Sequence, residues 1–140
     1  MSEAHWELFP HGADIGVRGI GDSKAEAFEQ VALALTAVIA DPQSVTGRER
    51  IDVTCEAPDD ELLLVEWLNA LVFEMATRRM LFARFEVRIN SHQLVGKAWG
   101  EPIDESKHDL GVEVKGATCT NLSARCDENG RWLAKCVVDV

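Results

Sequence analysis

The chain has 140 residues and carries 14 Lys and Arg against 24 Asp and Glu, a net charge of −10, and 46% of it is hydrophobic. This length and composition predict one globular domain spanning residues 1–140. Nucleic-acid binders usually need a basic surface, so we expect any contact with RNA to be indirect, through a partner protein. No apolar run approaches the roughly 18 residues that span a bilayer. The first residues lack a basic start and a hydrophobic segment, so we expect no signal peptide. We therefore expect a cytoplasmic protein without a membrane partner.

The four cysteines show neither a CxxC pair nor the Cys/His spacing of a zinc site. We therefore expect four reduced thiols rather than disulfides or a structural zinc ion.

Two helices are predicted from their start signals and apolar spacing. Ser23 and Glu26 form a capping box, in which the hydroxyl and the carboxylate each accept a backbone N–H. Asp41-Pro42 ends this first helix, because the residue before a proline avoids helical angles. Asp59 is the expected N-cap of the second helix. Its apolar face comprises Leu64, Trp67, Leu68, Leu71, Val72 and Met75.

Alternation of apolar and polar residues predicts strands in much of the remainder. The predicted strands are residues 6–9, 15–18, 51–55, 85–89, 93–99, 111–124 and 132–140. Asn129-Gly130 is expected to supply the positive φ angles of a hairpin turn. These elements predict an α+β fold with two helices packed on one side of an antiparallel, curled sheet.

Two segments place acidic residues where a cation could bind. Asp14 lies in a turn between two strands, with His11 nearby; the ordinary interpretation is a turn in which Asp14 bonds its own backbone. Asp139 lies beside the terminal carboxylate of Val140. Two such charges repel each other unless a cation or water separates them, so this end is either a cation site or a solvated terminus.

A third segment carries Lys115 inside an apolar stretch, preceded by His108. Lys115 is either a solvent-facing residue or a cation directed at a site, and His108 is either an exposed loop histidine or a neighbour of that site. No nucleophile motif, P-loop or dinucleotide fingerprint is present. Carboxylates accompanied by few histidines favour a hard cation such as calcium or magnesium.

Taken together, these segments resemble the archease family. The resemblance rests on the opening motif WELFPHGADIG at 6–16, the helix at 24–39, the pair Gly100-Glu101, the lysine strand VKGAT at 114–118 and the closing VVDV at 137–140. Their order and spacing cover essentially the whole chain.

The resemblance implies an α+β fold of strand-helix-strand-strand modules that binds a divalent cation, calcium in that family. The implied metal ligands are Asp14, Asp139 and Val140. Lys115, with His11 and His108 as neighbours, is the implied partner-activating set. The implied partner is RtcB, a ligase that joins RNA ends bearing 3′-phosphate or 2′,3′-cyclic phosphate to 5′-hydroxyl ends in tRNA splicing. The chain would not itself be an enzyme; it would promote guanylylation of RtcB and multiple turnover.

One departure accompanies this resemblance. Cys119 and Thr120 stand where the family usually has an aromatic residue and a histidine, so any contact made by those side chains is not carried over. Two other interpretations remain open. One is a stand-alone metal-dependent phosphohydrolase that uses the same carboxylates to activate water. The other is a general chaperone or scaffold in which the metal is structural.

Overall fold

The structure, a computed structural model, describes residues 4–140 as two helices and eight strands, which confirms the α+β class. In chain order the elements are β1 (His5–His11), β2 (Asp14–Gly21), α1 (Lys24–Ile39), β3 (Glu49–Glu56), α2 (Asp60–Arg78), β4 (Met80–Asn90), β5 (Gln93–Pro102), β6 (Gly116–Ala117), β7 (Ser123–Cys126) and β8 (Trp132–Asp139).

Both helices begin at the residues that the sequence predicts. Ser23 Oγ accepts the N–H of Glu26 at 3.1 Å, and an Asp59 oxygen accepts the N–H of Leu62 at 2.8 Å. The Glu26 carboxylate accepts from Asp22 N rather than from Ser23 N, so the reciprocal half of the capping box is shifted by one residue. Each cap satisfies a backbone donor that the first helical turn leaves unpaired.

The strands divide into two antiparallel sheets rather than the one sheet that was expected. The first sheet has the order β1-β2-β8-β6, with β7 also paired to β8, and the second has the order β3-β5-β4. Neither sheet closes into a barrel. Strand β8, the last of the chain, therefore lies in the middle of the first sheet, beside β2 from the N-terminal hairpin.

The core lies between the helices and the sheets. Helix α1 approaches β2 so closely that a Cβ on Gly19 would lie 2.3 Å from the backbone N of Val31. The helices are joined where the indole N–H of Trp67 donates to the carbonyl of Phe28 at 3.0 Å. The Trp67 ring also meets Phe85 of β4 edge to face, with 6.1 Å between ring centroids.

The prediction of one strand over 111–124 is wrong. Only Gly116–Ala117 and Ser123–Cys126 are strands, because the backbone between and before them bonds outside a regular ladder. The N–H of Gly111 donates to the Ile39 carbonyl at 2.6 Å, and the N–H of Thr118 donates to the Val137 carbonyl at 3.0 Å. Asn121 has a left-handed φ of 54°, which interrupts the extended chain.

The turn before β8 also differs in detail from its prediction. Gly130 has a positive φ of 83°, but Asn129 does not take one. Instead, Asp127 Oδ1 accepts the N–H groups of Asn129 and Arg131, both at 2.9 Å, so the aspartate side chain organises the turn.

Candidate functional site

The β1–β2 hairpin presents His11 and Asp14 directly opposite each other. They are a cross-strand pair that flanks the two-residue turn Gly12-Ala13. Gly12 has a φ of +59°, as the first turn residue of a type II′ hairpin requires, and glycine adopts that angle without steric cost. The His11 side chain is exposed and that of Asp14 is half-buried.

The last strand brings the chain terminus to Asp14. Ile15 of β2 pairs with Val138 of β8, so the next step of the same register sets Asp14 opposite Asp139. The N–H of Val140 donates to Asp14 Oδ1 at 3.4 Å. Opposite residues on one sheet face have Cβ atoms about 4.5–5.5 Å apart. The three residues proposed as metal ligands are therefore neighbours at one end of the first sheet.

The lysine segment reaches the same end of the sheet. Gly116 pairs with Asp139, and the N–H of Lys115 donates to the Asp139 carbonyl at 2.7 Å. The Lys115 side chain is exposed and forms no ion pair within residues 4–140. His11, Asp14, Asp139, Val140 and Lys115 thus lie together at one end of the first sheet, and we call this group of residues the terminal site.

The charges of the terminal site are unbalanced. Like charges directly opposite each other on two strands are destabilising. Here the terminal carboxylate of Val140 adds a third negative charge beside the Asp14 and Asp139 carboxylates. Carboxylate oxygens are the ligands that hard divalent cations prefer. Among residues 4–140, no three or more His, Cys, Asp or Glu side chains are arranged so that they could hold a metal ion. A cation here would depend on the chain end.

The structure corrects the expectation for His108. Its side chain is 1% exposed, so it is neither an exposed loop histidine nor able to contact a partner. The N–H of Asp104 donates to Nδ1 at 3.0 Å, which leaves the proton on Nε2. Nε2 then donates to Glu101 Oε2 at 2.9 Å. Among residues 4–140, its hydrogen bonds join only partners within 101–108, and none of them reaches the terminal site.

Glu101, which the family resemblance placed in the pair Gly100-Glu101 without a role, is the centre of this second polar cluster. The residue is 3% exposed, and its Oε2 also accepts the N–H of Thr46 at 2.9 Å and the Lys107 ammonium at 2.7 Å. The hydrogen bond from Lys107, helped by those from Thr46 and His108, lowers the pKa of Glu101 to about 2. The cluster ties the 103–108 segment to the strand that precedes it.

Asn69 is a further residue that the sequence did not single out. Its Oδ1 accepts the N–H of Ala117 at 2.8 Å and so links α2 to the outer edge of β6, next to Lys115. Only a weak feature of the sequence pointed to Asn69: asparagine is a poor helix former, yet it lies in the middle of an otherwise strongly helical segment.

The two departures from the family pattern lie near this surface. Cys119 and Thr120 are both exposed. The Thr120 carbonyl accepts the N–H of Val137 at 3.0 Å, and its own N–H donates to Thr118 Oγ1 at 3.1 Å. Backbone hydrogen bonds therefore hold this segment on β8, and they do not depend on which side chains stand at positions 119 and 120.

The chain matches a known protein family over nearly its full length. A sequence model of the Archease protein family (MTH1598/TM1083) matches residues 6–140. The chain belongs to the archease family. It is 39% identical over 139 residues to the protein archease of Pyrococcus furiosus, covering 96% of this chain and 98% of that one. The protein archease of Sulfurisphaera tokodaii is 35% identical over 137 residues, with the same coverage.

A solved structure has the same fold. The solution structure of Methanobacterium thermoautotrophicum protein 1598 superposes with a TM-score of 0.84 at 33% identity, covering 96% of this chain and 98% of that one. Membership of the archease family supports a role as an accessory or activator protein in RNA processing. Neither described helix has the length and apolar character needed to cross a bilayer.

Proposed function

We propose that this archease is a metal-binding accessory protein of the RNA-splicing ligase RtcB, promoting its guanylylation and multiple turnover in tRNA splicing and RNA repair. The observation that carries the proposal is the meeting of the first hairpin with the chain end, which sets Asp14, Asp139 and Val140 beside Lys115. This is the residue set that the family resemblance names, apart from His108.

Calcium is the cation that we propose for the terminal site. Asp14, Asp139 and the Val140 carboxylate supply only oxygen donors, which suit a cation that takes six to eight oxygen ligands. Three carboxylates fill part of that shell, so water or a partner carboxylate would complete it. When bound, the cation would neutralise the facing carboxylates and fix the hairpin to the chain end.

Lys115 and His11 are the side chains that we propose to act on the partner. Both are exposed and both border the carboxylates. A lysine ammonium is a point charge suited to phosphate groups, so Lys115 would help to position the nucleotide phosphates in the active site of the ligase. The net charge of −10 supports a role in which RNA is contacted only by the ligase.

Ligation under limiting ligase tests the proposal. Substoichiometric archease should raise the product above one equivalent per ligase and increase the GMP-linked form. Lys115→Met should lose most of this stimulation, whereas Lys97→Met, which removes a lysine from β5 of the other sheet, should keep it. No stimulation with a verified cognate ligase would contradict the proposal.

The burial of His108 bears on the phosphohydrolase alternative. Such an enzyme would need a general base, and His11 and His108 were the two candidates from the sequence. With His108 hydrogen-bonded inside the protein, only His11 remains exposed beside the carboxylates. Turnover of a phosphoester by the archease alone, abolished by chelator and by Asp14→Ala, would nevertheless establish that activity.

A further inference from the structure

A second surface, distinct from the terminal site, is an apolar groove between α2 and the segment 110–114. Val72, Met75 and Ala76 form its helical wall, and Leu110, Val112 and Val114 form the other. Ile39, Met80, Leu81 and Ile103 also line it, and the cavity measures about 420 Å³. We call this feature the α2 groove.

Exposed apolar side chains are concentrated around the groove. Leu110 and Val112 line it, and Val112 is 45% exposed. Phe73, which is 63% exposed, adjoins Val72 and lies one turn before Ala76 on the same helix. Single exposed apolar residues are ordinary on a protein surface, but a cluster of them around a concave surface is typical of an interaction site.

One wall of the groove adjoins the segment that carries Lys115. Val114 lines the groove, and the next residue, Lys115, donates its N–H to Asp139. On the helical side, Asn69 bonds to Ala117 one turn before Phe73. A protein bound in the groove would therefore lie beside Lys115 and the carboxylates.

The charges indicate what the occupant is. Asp109 and Glu113 are exposed next to the apolar residues of the 110–114 wall, while Arg79 lies at the other rim. The whole chain carries −10, so a second copy would meet like-charge repulsion. A basic protein would be attracted, and an RNA-binding protein is basic because it must neutralise phosphates.

We infer that the α2 groove docks a basic protein segment that inserts one or two apolar side chains, and that this segment belongs to the partner acted on at the terminal site. The inference rests on the proposed function. It separates two tasks on one molecule: the groove supplies affinity, and the terminal site acts on the bound partner.

Three variants test the groove against a matched surface position. Val112→Ser replaces one apolar side chain of the 110–114 wall by a polar one. Ala76→Arg places a bulky cation in the groove, and arginine is still a good helix former. Val95→Ser is the control, because Val95 is 49% exposed but lies on β5 of the other sheet. Thermal melting of each variant checks that it remains folded.

The measurements are the dissociation constant for purified cognate RNA ligase and the archease concentration that gives half-maximal stimulation. Both should rise about tenfold or more for the two groove variants, as for central interface residues, with maximal stimulation retained at saturation. Val95→Ser should stay within about twofold of the native protein. Unchanged binding by folded Val112→Ser and Ala76→Arg would overturn the inference.

Two further outcomes separate this inference from the proposed function. Groove-dependent binding without stimulation would sustain the docking site and contradict the activating role. Stimulation of the ligase that neither groove variant changes would sustain the activating role and contradict the docking site. Sedimentation equilibrium gives a third check: a dimer abolished by Ala76→Arg would assign the groove to a second copy and overturn the inference.

Discussion

The N–H of Val140 donates to Asp14 Oδ1 at 3.4 Å, although 126 residues separate them along the chain. The contact exists because β8 runs through the middle of the first sheet and ends beside the first hairpin. Burial of Cys136, Val137 and Val138 anchors that strand, so the charged chain end is held against Asp14 by the apolar residues before it.

A C-terminal tag should weaken calcium binding by about tenfold or more, because it converts the Val140 carboxylate into a neutral amide. An N-terminal tag should leave the affinity unchanged, since Met1 is not a proposed ligand. Isothermal titration calorimetry on the two proteins would measure this difference. Equal affinities would remove Val140 from the site.

Asp14→Asn should abolish the rise in melting temperature that calcium produces. In chelator, the same change should leave the protein as stable or up to about 1 kcal/mol more stable, because it relieves the repulsion with Asp139. The asparagine oxygen can still accept the N–H of Val140. Denaturation of both proteins with calcium and with chelator would measure the two effects. If Asp14→Asn lost the same stability in both conditions, Asp14 would have a structural role alone.

The sequence predicted the parts of the fold that depend on local signals. Ser23 and Asp59 cap their helices through bonds to residues only three positions away, so short motifs were enough. The segment 111–124 failed because its partners are distant: Gly111 bonds to Ile39 and Thr118 to Val137. Alternating residue types cannot distinguish such bonds from a regular strand.

The positions of some candidate site residues were predicted from the sequence, and that of His108 was not. Asp14 and Asp139 each had an ordinary interpretation from the residues alone, and the family resemblance named them as a pair. The structure places them opposite each other. His108 was misplaced because its burial depends on Glu101, which Thr46 and Lys107 also contact. No spacing rule brings those three segments together.

Glu101 should make stability pH-dependent in acid. Its pKa is lowered from 4.5 to about 2 in the folded protein, so its stabilisation is fully present above about pH 4.5 and is lost as the pH falls through about 2. Melting temperatures recorded between pH 6 and pH 2 should therefore fall more for the native protein than for Glu101→Gln. Parallel curves would show that Glu101 contributes nothing to this loss.

The four free thiols should differ in reactivity. Burial raises the pKa of Cys136 to about 12 and that of Cys55 to about 11, so at pH 8 about one thiol in a thousand or fewer is ionised. Cys119 and Cys126 are exposed. Iodoacetamide followed by peptide mass spectrometry should find these two labelled first, the half-buried Cys55 more slowly and Cys136 only after unfolding. Early labelling of Cys136 would contradict its burial.

Crystals of the archease grown with calcium, with anomalous scattering recorded, would test the shared cation most directly. The account predicts one anomalous peak about 2.3–2.6 Å from oxygens of Asp14, Asp139 and the Val140 carboxylate. It also predicts that Asp139→Asn crystals lose the peak. A calcium ion bound only elsewhere, or none at millimolar concentration, would contradict it.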